Sequence, residues 1–505
     1  MLAQVATFAI EGLDGLEVTA EVDLRQGLPA FAIVGLPDTA VRESRERVRA
    51  AILNSGLEFP QKRVTANLAP AYLRKVGPGF DLALAVALLA ASGQVPREGL
   101  DAYAVCGELA LGGDLRRVRG TVAVSFGARR AGYSRLVVPV ENAAEAAIVD
   151  GLEVFGVSTL GQIVELLKGE WRPEAAMPEG LGVEPEAGEG EPDLADVRGQ
   201  QDAKRALEIA AAGGHNLLMI GPPGAGKTML ARRVPGILPP PTPDEAFEIT
   251  RIHSVAGLGP GRLATSRPFR TPHHTTSAAG LIGGGSSPRP GEITLAHRGV
   301  LFLDELAEFS RPALEALRQP LESGQCEITR GQRTLVFPAE AMLIAACNGC
   351  PCAREECTCT EVDIARYARR LSGPLLDRID IVCELGHASP VELVAPGAER
   401  SESRPVRERV VAARERQEHR LRGSRARCNG DMDARLTRRH VRLERAARER
   451  LLAGHWSTAL TGRSHDRVLR LARTIADLDG RARVRPADVD EALGYRLSAV
   501  RRAAA

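Results

Sequence analysis

The sequence predicts an α/β protein centred on a parallel sheet that holds a nucleotide, preceded by an α+β domain and followed by an α-helical one. Three observations predict it. The apolar run from Leu217 to Ile220 enters Gly221-Pro222-Pro223-Gly224-Ala225-Gly226-Lys227-Thr228 and then a helix-compatible segment, the G-x-x-x-x-G-K-[ST] pattern of a phosphate loop between strand and helix. Strands alternate with helices from Gly199 to about Leu385, as in a parallel sheet covered on both faces. A second apolar strand, Val300-Leu-Phe-Leu, ends in Asp304 and Glu305, at the edge where an open α/β sheet carries its site.

A chain of 505 residues suffices for about three domains with separate cores. The formal net charge of +2 excludes a simple polycation, although local patches can still meet nucleic acid. Arginines outnumber lysines 61 to 5, so a single arginine carries weight only where a motif places it. Nine cysteines without a secretory signal imply a reducing, cytoplasmic setting. The longest apolar run, Leu82 to Ala91, is about half of the roughly 20 residues that cross a bilayer, so no membrane is expected.

Residues 1–170 carry alternating runs at 16–22 and 30–34 and helical stretches at 38–56 and 80–92, which read as an α+β domain. Residues 171–197 hold eight acids against one base, with glycine and proline throughout, and read as an acidic linker. The domain of the phosphate loop follows at 198–400. Residues 401–505 turn helical and charged, with sixteen arginines and eight acids between 401 and 450. A solvated helix face accounts for most such runs, and contact with DNA is the other reading. Residues 463–479 and 486–502 read as two closing helices.

In this pattern the loop N–H groups surround a polyphosphate, Lys227 reaches the β- and γ-phosphates, and the Thr228 hydroxyl joins Asp304 around Mg²⁺. Glu305 is placed to polarise the attacking water. A third apolar strand, residues 341–347, ends at Asn348, which either bonds the γ-phosphate or forms a turn. Arg378 in Leu-Leu-Asp377-Arg378-Ile-Asp380 and, near the C-terminus, the arginines of Ser464-His-Asp-Arg467-Val-Leu-Arg470 are further candidates. An arginine that reaches the γ-phosphate from a neighbouring subunit would make hydrolysis depend on assembly. Cys350, Cys352, Cys357 and Cys359 supply four thiols within ten residues, and thiolates at this density suit Zn²⁺. Each pair is C-x-C rather than the usual C-x₂₋₄-C, so free thiols remain open.

Taken together, the phosphate loop, Leu-Phe-Leu-Asp304-Glu305-Leu, Asn348, the Leu-Leu-Asp-Arg-Ile-Asp segment and the arginine-bearing C-terminal helices resemble an AAA+ ATPase of the magnesium-chelatase and MCM branch. Phe269-Arg270-Thr-Pro-His273-His274, Gly283-Gly-Gly-Ser-Ser-Pro-Arg289-Pro-Gly-Glu292 and Gly462-Arg463-Ser-His-Asp-Arg467 narrow the resemblance to the bacterial ComM/YifB family. That resemblance implies ATP and Mg²⁺ as ligands and a homo-oligomeric, hexameric ring with an ATP site at each subunit interface. It implies Arg378 as a trans-acting finger and Arg463, or alternatively Arg467, as the lid arginine on the γ-phosphate. Branched or single-stranded DNA is the implied partner, with branch-migration or helicase activity, and a metal-chelatase-like or chaperone-like action on a partner protein is the alternative. An inserted hairpin is implied within 255–295, where Arg270, His273, His274 and Arg289 either contact DNA or order the insert.

The N-terminal segment Gly77-Pro-Gly79-Phe-Asp81-Leu, with Gly107-Glu108 through Gly120, is similar to the Lon protease domain and its ribosomal-S5-like relatives. Lon chemistry needs a serine and a lysine within reach of each other. Gly79 stands in the comparable loop, Val122 or a neighbour stands where the lysine would fall, and no lysine occurs between 76 and 167. An inactive domain that scaffolds the ring or binds nucleic acid is therefore expected, and Arg42, Arg45, Arg47, Arg49, Lys62, Arg63, Arg74 and Lys75 are either its contacts or an ordinary basic surface.

Overall fold

The computed structural model describes residues 1–178, 192–259, 261–285, 288–330, 333–352, 354, 358–368, 370, 373–394, 401–458 and 462–504. The N-terminal part is a seven-stranded mixed sheet in the order Ala30–Val34, Arg63–Ala69, Asp14–Arg25, Leu2–Glu11, Tyr103–Val105, Arg135–Pro139, Glu153–Val157. Its first two strands form a long antiparallel hairpin closed at Gly12, whose φ of +65° lies in the region open to glycine. Helix Asp81–Ser92 contains the longest apolar run and is buried from Asp81 to Ala91, as expected of a helix apolar on every side. No helix among the described residues is long and apolar enough to cross a membrane.

The central part is a five-stranded sheet in the order Phe269–Arg270, Val300–Leu303, Met342–Cys347, Leu217–Ile220, Ile381–Glu384, with every pairing parallel. The strands at 217, 300 and 342 are buried at every residue, so they read as continuous apolar runs rather than alternations. The strand order reverses between the phosphate-loop strand and its neighbours, which opens a crevice at their carboxyl ends. Helix Gln201–Gly213 lies between this sheet and the C-terminal helices, with Arg414 and Gln417 donating to the carbonyls of Ala211 and Ala212 at its end.

The C-terminal helices include Ser403–Leu421, Gly462–Leu478 and Pro486–Ala504, so the two closing helices lie where periodicity puts them. Much of the local positive charge is engaged internally: Arg420 pairs with Asp477, Arg427 with Glu245, and Arg416 with the Asp477 carbonyl.

The acidic segment is packed at both described ends. Trp171 sits against the N-terminal core, while Leu194 and Val197 are buried in the central one. Asp193 accepts from the N–H groups of Glu402 and Ser403. Its middle, 179–191, lies outside the described residues.

Helix Thr121–Ala131 and the turn of the first hairpin dock on helix Pro243–Ala256, which leads into the insert. Gly120 donates to the Ser254 carbonyl at 2.9 Å, Val122 to its hydroxyl at 3.3 Å, and Arg251 reaches Leu13 and Asp14 at 2.9 and 2.7 Å. Val122, one of the residues among which the Lon resemblance would place a lysine, is thus buried at this seam. Two expected nucleic-acid contacts are corrected: Lys75 is wholly buried with its amine on the Pro70 carbonyl, and Arg47 is held by buried Asp81 at 2.6 Å. Lys75 is closed off from solvent and Arg47 is committed to a buried carboxylate, so neither is presented to a nucleic-acid phosphate.

Candidate nucleotide site

Gly224 and Gly226 take φ of +76° and +87°, and a Cβ on Gly221 would lie 2.6 Å from the Leu385 carbonyl oxygen. These glycines let the loop wrap tightly before helix Lys227–Ala231 begins. Lys227 is buried, and its Nζ donates to the carbonyls of Gly221 and Pro222 at 2.7 and 2.8 Å and to Asn348 Oδ1 at 3.1 Å. Burial lowers its pKa against the opposing pull of Asp304. The Thr228 hydroxyl donates to Asp304 Oδ2 at 2.7 Å, and Asp304 Oδ1 accepts from the Glu305 N–H at 2.9 Å. Glu305 is exposed, stands at φ +50°, and its carboxylate lies 3.2 Å from His274 Nδ1.

Residues from three separate stretches of sequence therefore meet at the carboxyl ends of adjacent parallel strands. Asn348 is not merely a turn residue, since its side chain faces Lys227. A buried ammonium held on three oxygens above an open glycine loop fits a polyphosphate. The Thr228–Asp304 pair provides the hard oxygen donors Mg²⁺ takes.

The remaining candidates are distributed differently. Arg378 donates to the Arg318 carbonyl at 3.1 Å and pairs with Glu322 of its own chain. Arg463 is exposed in the first turn of helix Gly462–Leu478. Arg467 lies 3.5 Å from Asp380 in a cluster that also holds His215 at 3.3 Å and Arg470 at 3.7 Å. Within the insert, Arg270 forms a two-pronged pair with Glu292 at 2.7 and 3.0 Å, which orders the segment. Arg289 and His273 are exposed. Within 255–295 the described residues pair Gly283–Gly284 with Arg289–Pro290, and a longer hairpin, Gln325–Arg330 with Arg333–Pro338, follows the acid strand. Cys350, Cys352 and Cys359 converge, while Cys357 lies outside the described residues. Backbone N–H groups of Arg354 and Thr358 hold the Cys352 thiol down at about 6.

Sequence reading missed two features. His274 was read as a DNA contact or an ordering residue of the insert, yet it faces Glu305. Gln200, at φ +56°, bridges the Ala225 and Gly386 carbonyls and so ties the phosphate loop to the end of the last strand. A glutamine after Arg-Gly at the end of an acidic segment was the available signal, but nothing local indicates carbonyls 25 and 186 residues away.

Comparison with known proteins places this geometry in context. The family "Magnesium chelatase, subunit ChlI" matches residues 193–393, "Subunit ChlI of Mg-chelatase" matches 20–142, and "Magnesium chelatase, subunit ChlI C-terminal" matches 400–496. YifB of Salmonella typhimurium is 43% identical over 499 residues, covering 98% of this chain and 97% of that one. Competence protein ComM of Haemophilus influenzae is 41% identical over 507 residues, with the same coverage. Lon protease 2 of Bacillus subtilis is 30% identical over 135 residues, 25% of this chain and 24% of that one.

Proposed function

Since the chain belongs to the YifB/ComM family of magnesium-chelatase-like AAA+ proteins, we propose that it is an ATP-hydrolysing ring motor acting on DNA, moving branch points or strands during recombination or uptake. The family supports an ATPase of AAA+ type with a Lon-like N-terminal domain. The observation that carries the ATPase reading is the convergence of Lys227, Thr228, Asp304, Glu305 and Asn348 on one crevice.

In this reading the loop N–H groups of Gly221 to Thr228 cradle the phosphates. Lys227 leaves its carbonyl contacts for the β- and γ-oxygens, and Asn348 orients the γ-phosphate or the water. Thr228 and Asp304 hold Mg²⁺, which neutralises charge on the phosphates when bound. Glu305 accepts the proton of the attacking water. Arg378 of one subunit completes the site of the next after exchanging Glu322 for the γ-phosphate, and Arg463 approaches from the lid; the engagement of Arg467 with Asp380 favours Arg463 for that role. DNA as the moved partner is supported by exposed Arg289 and His273 on the insert and by the name of the ComM relative.

Two substitutions test it. Lys227→Ala is expected to abolish binding of a fluorescent ATP analogue, while Glu305→Gln binds it at near wild-type affinity but loses on the order of 10²-fold or more in turnover. DNA-stimulated hydrolysis that persists in Glu305→Gln sinks the assignment. Stimulation by a partner protein and not by branched or single-stranded DNA at low salt favours the chaperone-like alternative.

A further inference from the structure

The loop after the asparagine strand brings three cysteines together. The Sγ atoms of Cys350, Cys352 and Cys359 all lie within 4.8 Å of one another, and the first two are 3.3 Å apart. A tetrahedral Zn²⁺ with Zn–S bonds of about 2.3 Å spaces its sulfurs by roughly 3.8 Å, so these atoms need only small movements to share an ion. The other described cysteines differ: Cys106, Cys326, Cys347, Cys383 and Cys428 are buried, whereas the three in the loop are partly open to solvent. Convergence of soft donors at a surface loop is the pattern of a thiolate metal site.

The position of the cluster gives it a consequence. Cys350 follows Asn348 by two residues, and Cys359 directly precedes Thr360, whose hydroxyl donates to Asp363 at the start of helix Glu361–Ala368. That helix returns Tyr367, which is buried, to the backbone of Asn348. The packed tyrosine thus holds the segment at Asn348 on one side, and the three thiols lie in the stretch between Asn348 and that helix. Upstream, the Cys347 carbonyl accepts from the Gly221 N–H at 3.3 Å, so the same strand end also touches the phosphate loop.

We propose that Cys350, Cys352 and Cys359 bind a structural Zn²⁺ ion, and that the bound ion fixes the segment presenting Asn348 to Lys227. A solvent molecule or a further side chain completes the tetrahedron. The metal site stands on the thiols alone; its effect on turnover rests on the reading of the nucleotide site.

The test uses the full-length chain, purified reduced, without chelator and without a metal-affinity step. Elemental analysis is expected to find about one zinc per chain, and replacement by Co²⁺ to give thiolate charge-transfer bands together with the visible bands of a tetrahedral ion. Cys352→Ser and Cys359→Ser are each expected to lower zinc affinity by at least about tenfold and to weaken the charge-transfer band. Their circular dichroism and ATP-analogue affinity should stay near wild type while kcat falls. Wild-type protein without zinc and without the Co²⁺–thiolate band overturns the site, as does an iron–sulfur chromophore or a Cys350–Cys352 disulfide in the protein as purified. Zinc loss that leaves kcat unchanged overturns the link to Asn348 and spares the site. Zinc-loaded wild type that binds no ATP overturns the nucleotide reading and not the metal one.

Discussion

Glu305 occupies a conformation that costs a non-glycine residue about 1 kcal/mol or more. It stands at φ +50° with its N–H on Asp304 and its carboxylate 3.2 Å from His274. Backbone and imidazole together set where the carboxylate points, so His274 acts as a positioning residue for the proposed base. His274→Ala is expected to loosen the Glu305 carboxylate and lower ATP turnover by about two- to fivefold at unchanged KM. Unaltered basal and stimulated rates in steady-state assays would remove His274 from the mechanism.

At the scale of elements, the joint between the central sheet and helix Gly462–Leu478 depends on Asp380. Its carboxylate lies 3.3 Å from His215, which is wholly buried and bonds Thr474 of that helix at 2.8 Å, while Arg467 and Arg470 approach from the same helix. Burial by itself raises the Asp380 pKa, but the His215 hydrogen bond and the charges of Arg470 and Arg467 outweigh it and hold the group at about 2. A depressed carboxylate contributes stability that is complete above its unfolded pKa of roughly 4 and is lost as pH falls through the folded value. Asp380→Asn is expected to destabilise this joint by about 3–5 kcal/mol, because the facing cations keep their burial and lose their counter-charge. Calorimetry should find a lower unfolding temperature at pH 7, with the gap from wild type closing only between about pH 4 and 2. A gap independent of pH in that window would exclude the charge as its cause.

For the whole molecule, the question is whether the site works alone. Arg378 is tied to Glu322 of its own chain, so it serves a neighbour only if assembly exchanges that partner. Mixing two inactive variants decides this. Lys227→Ala subunits retain Arg378, and Arg378→Ala subunits retain an intact phosphate loop. In a ring the mixture rebuilds some complete interfaces and is expected to recover about a quarter of wild-type turnover at equal input. No recovery, in a mixture shown to co-assemble by sedimentation, would mean that Arg378 acts within its own chain or only structurally. The N-terminal domain is joined to the same machinery through helix Pro243–Ala256, whose Phe247 packs on Phe126 with ring centroids 6.1 Å apart.

The sequence alone was enough for the parallel core, the phosphate loop, the acid strand and the asparagine strand, because each is a local pattern: an apolar run of strand length ending in residues of the right chemistry. It also placed the closing helices, through their periodicity and the Pro486 start. Only the tertiary structure decided which charges are engaged. Arg47, Lys75, Arg270 and Arg467 look like any other cation in the sequence, yet each is held by an acceptor 5 to 87 residues away. The contacts of Lys227 with Asn348 and of His274 with Glu305 likewise depend on strand order, which no local pattern encodes. The phosphate loop was legible because its chemistry is contiguous; the rest of the site had to be assembled by a sheet whose neighbours in space are not neighbours in sequence.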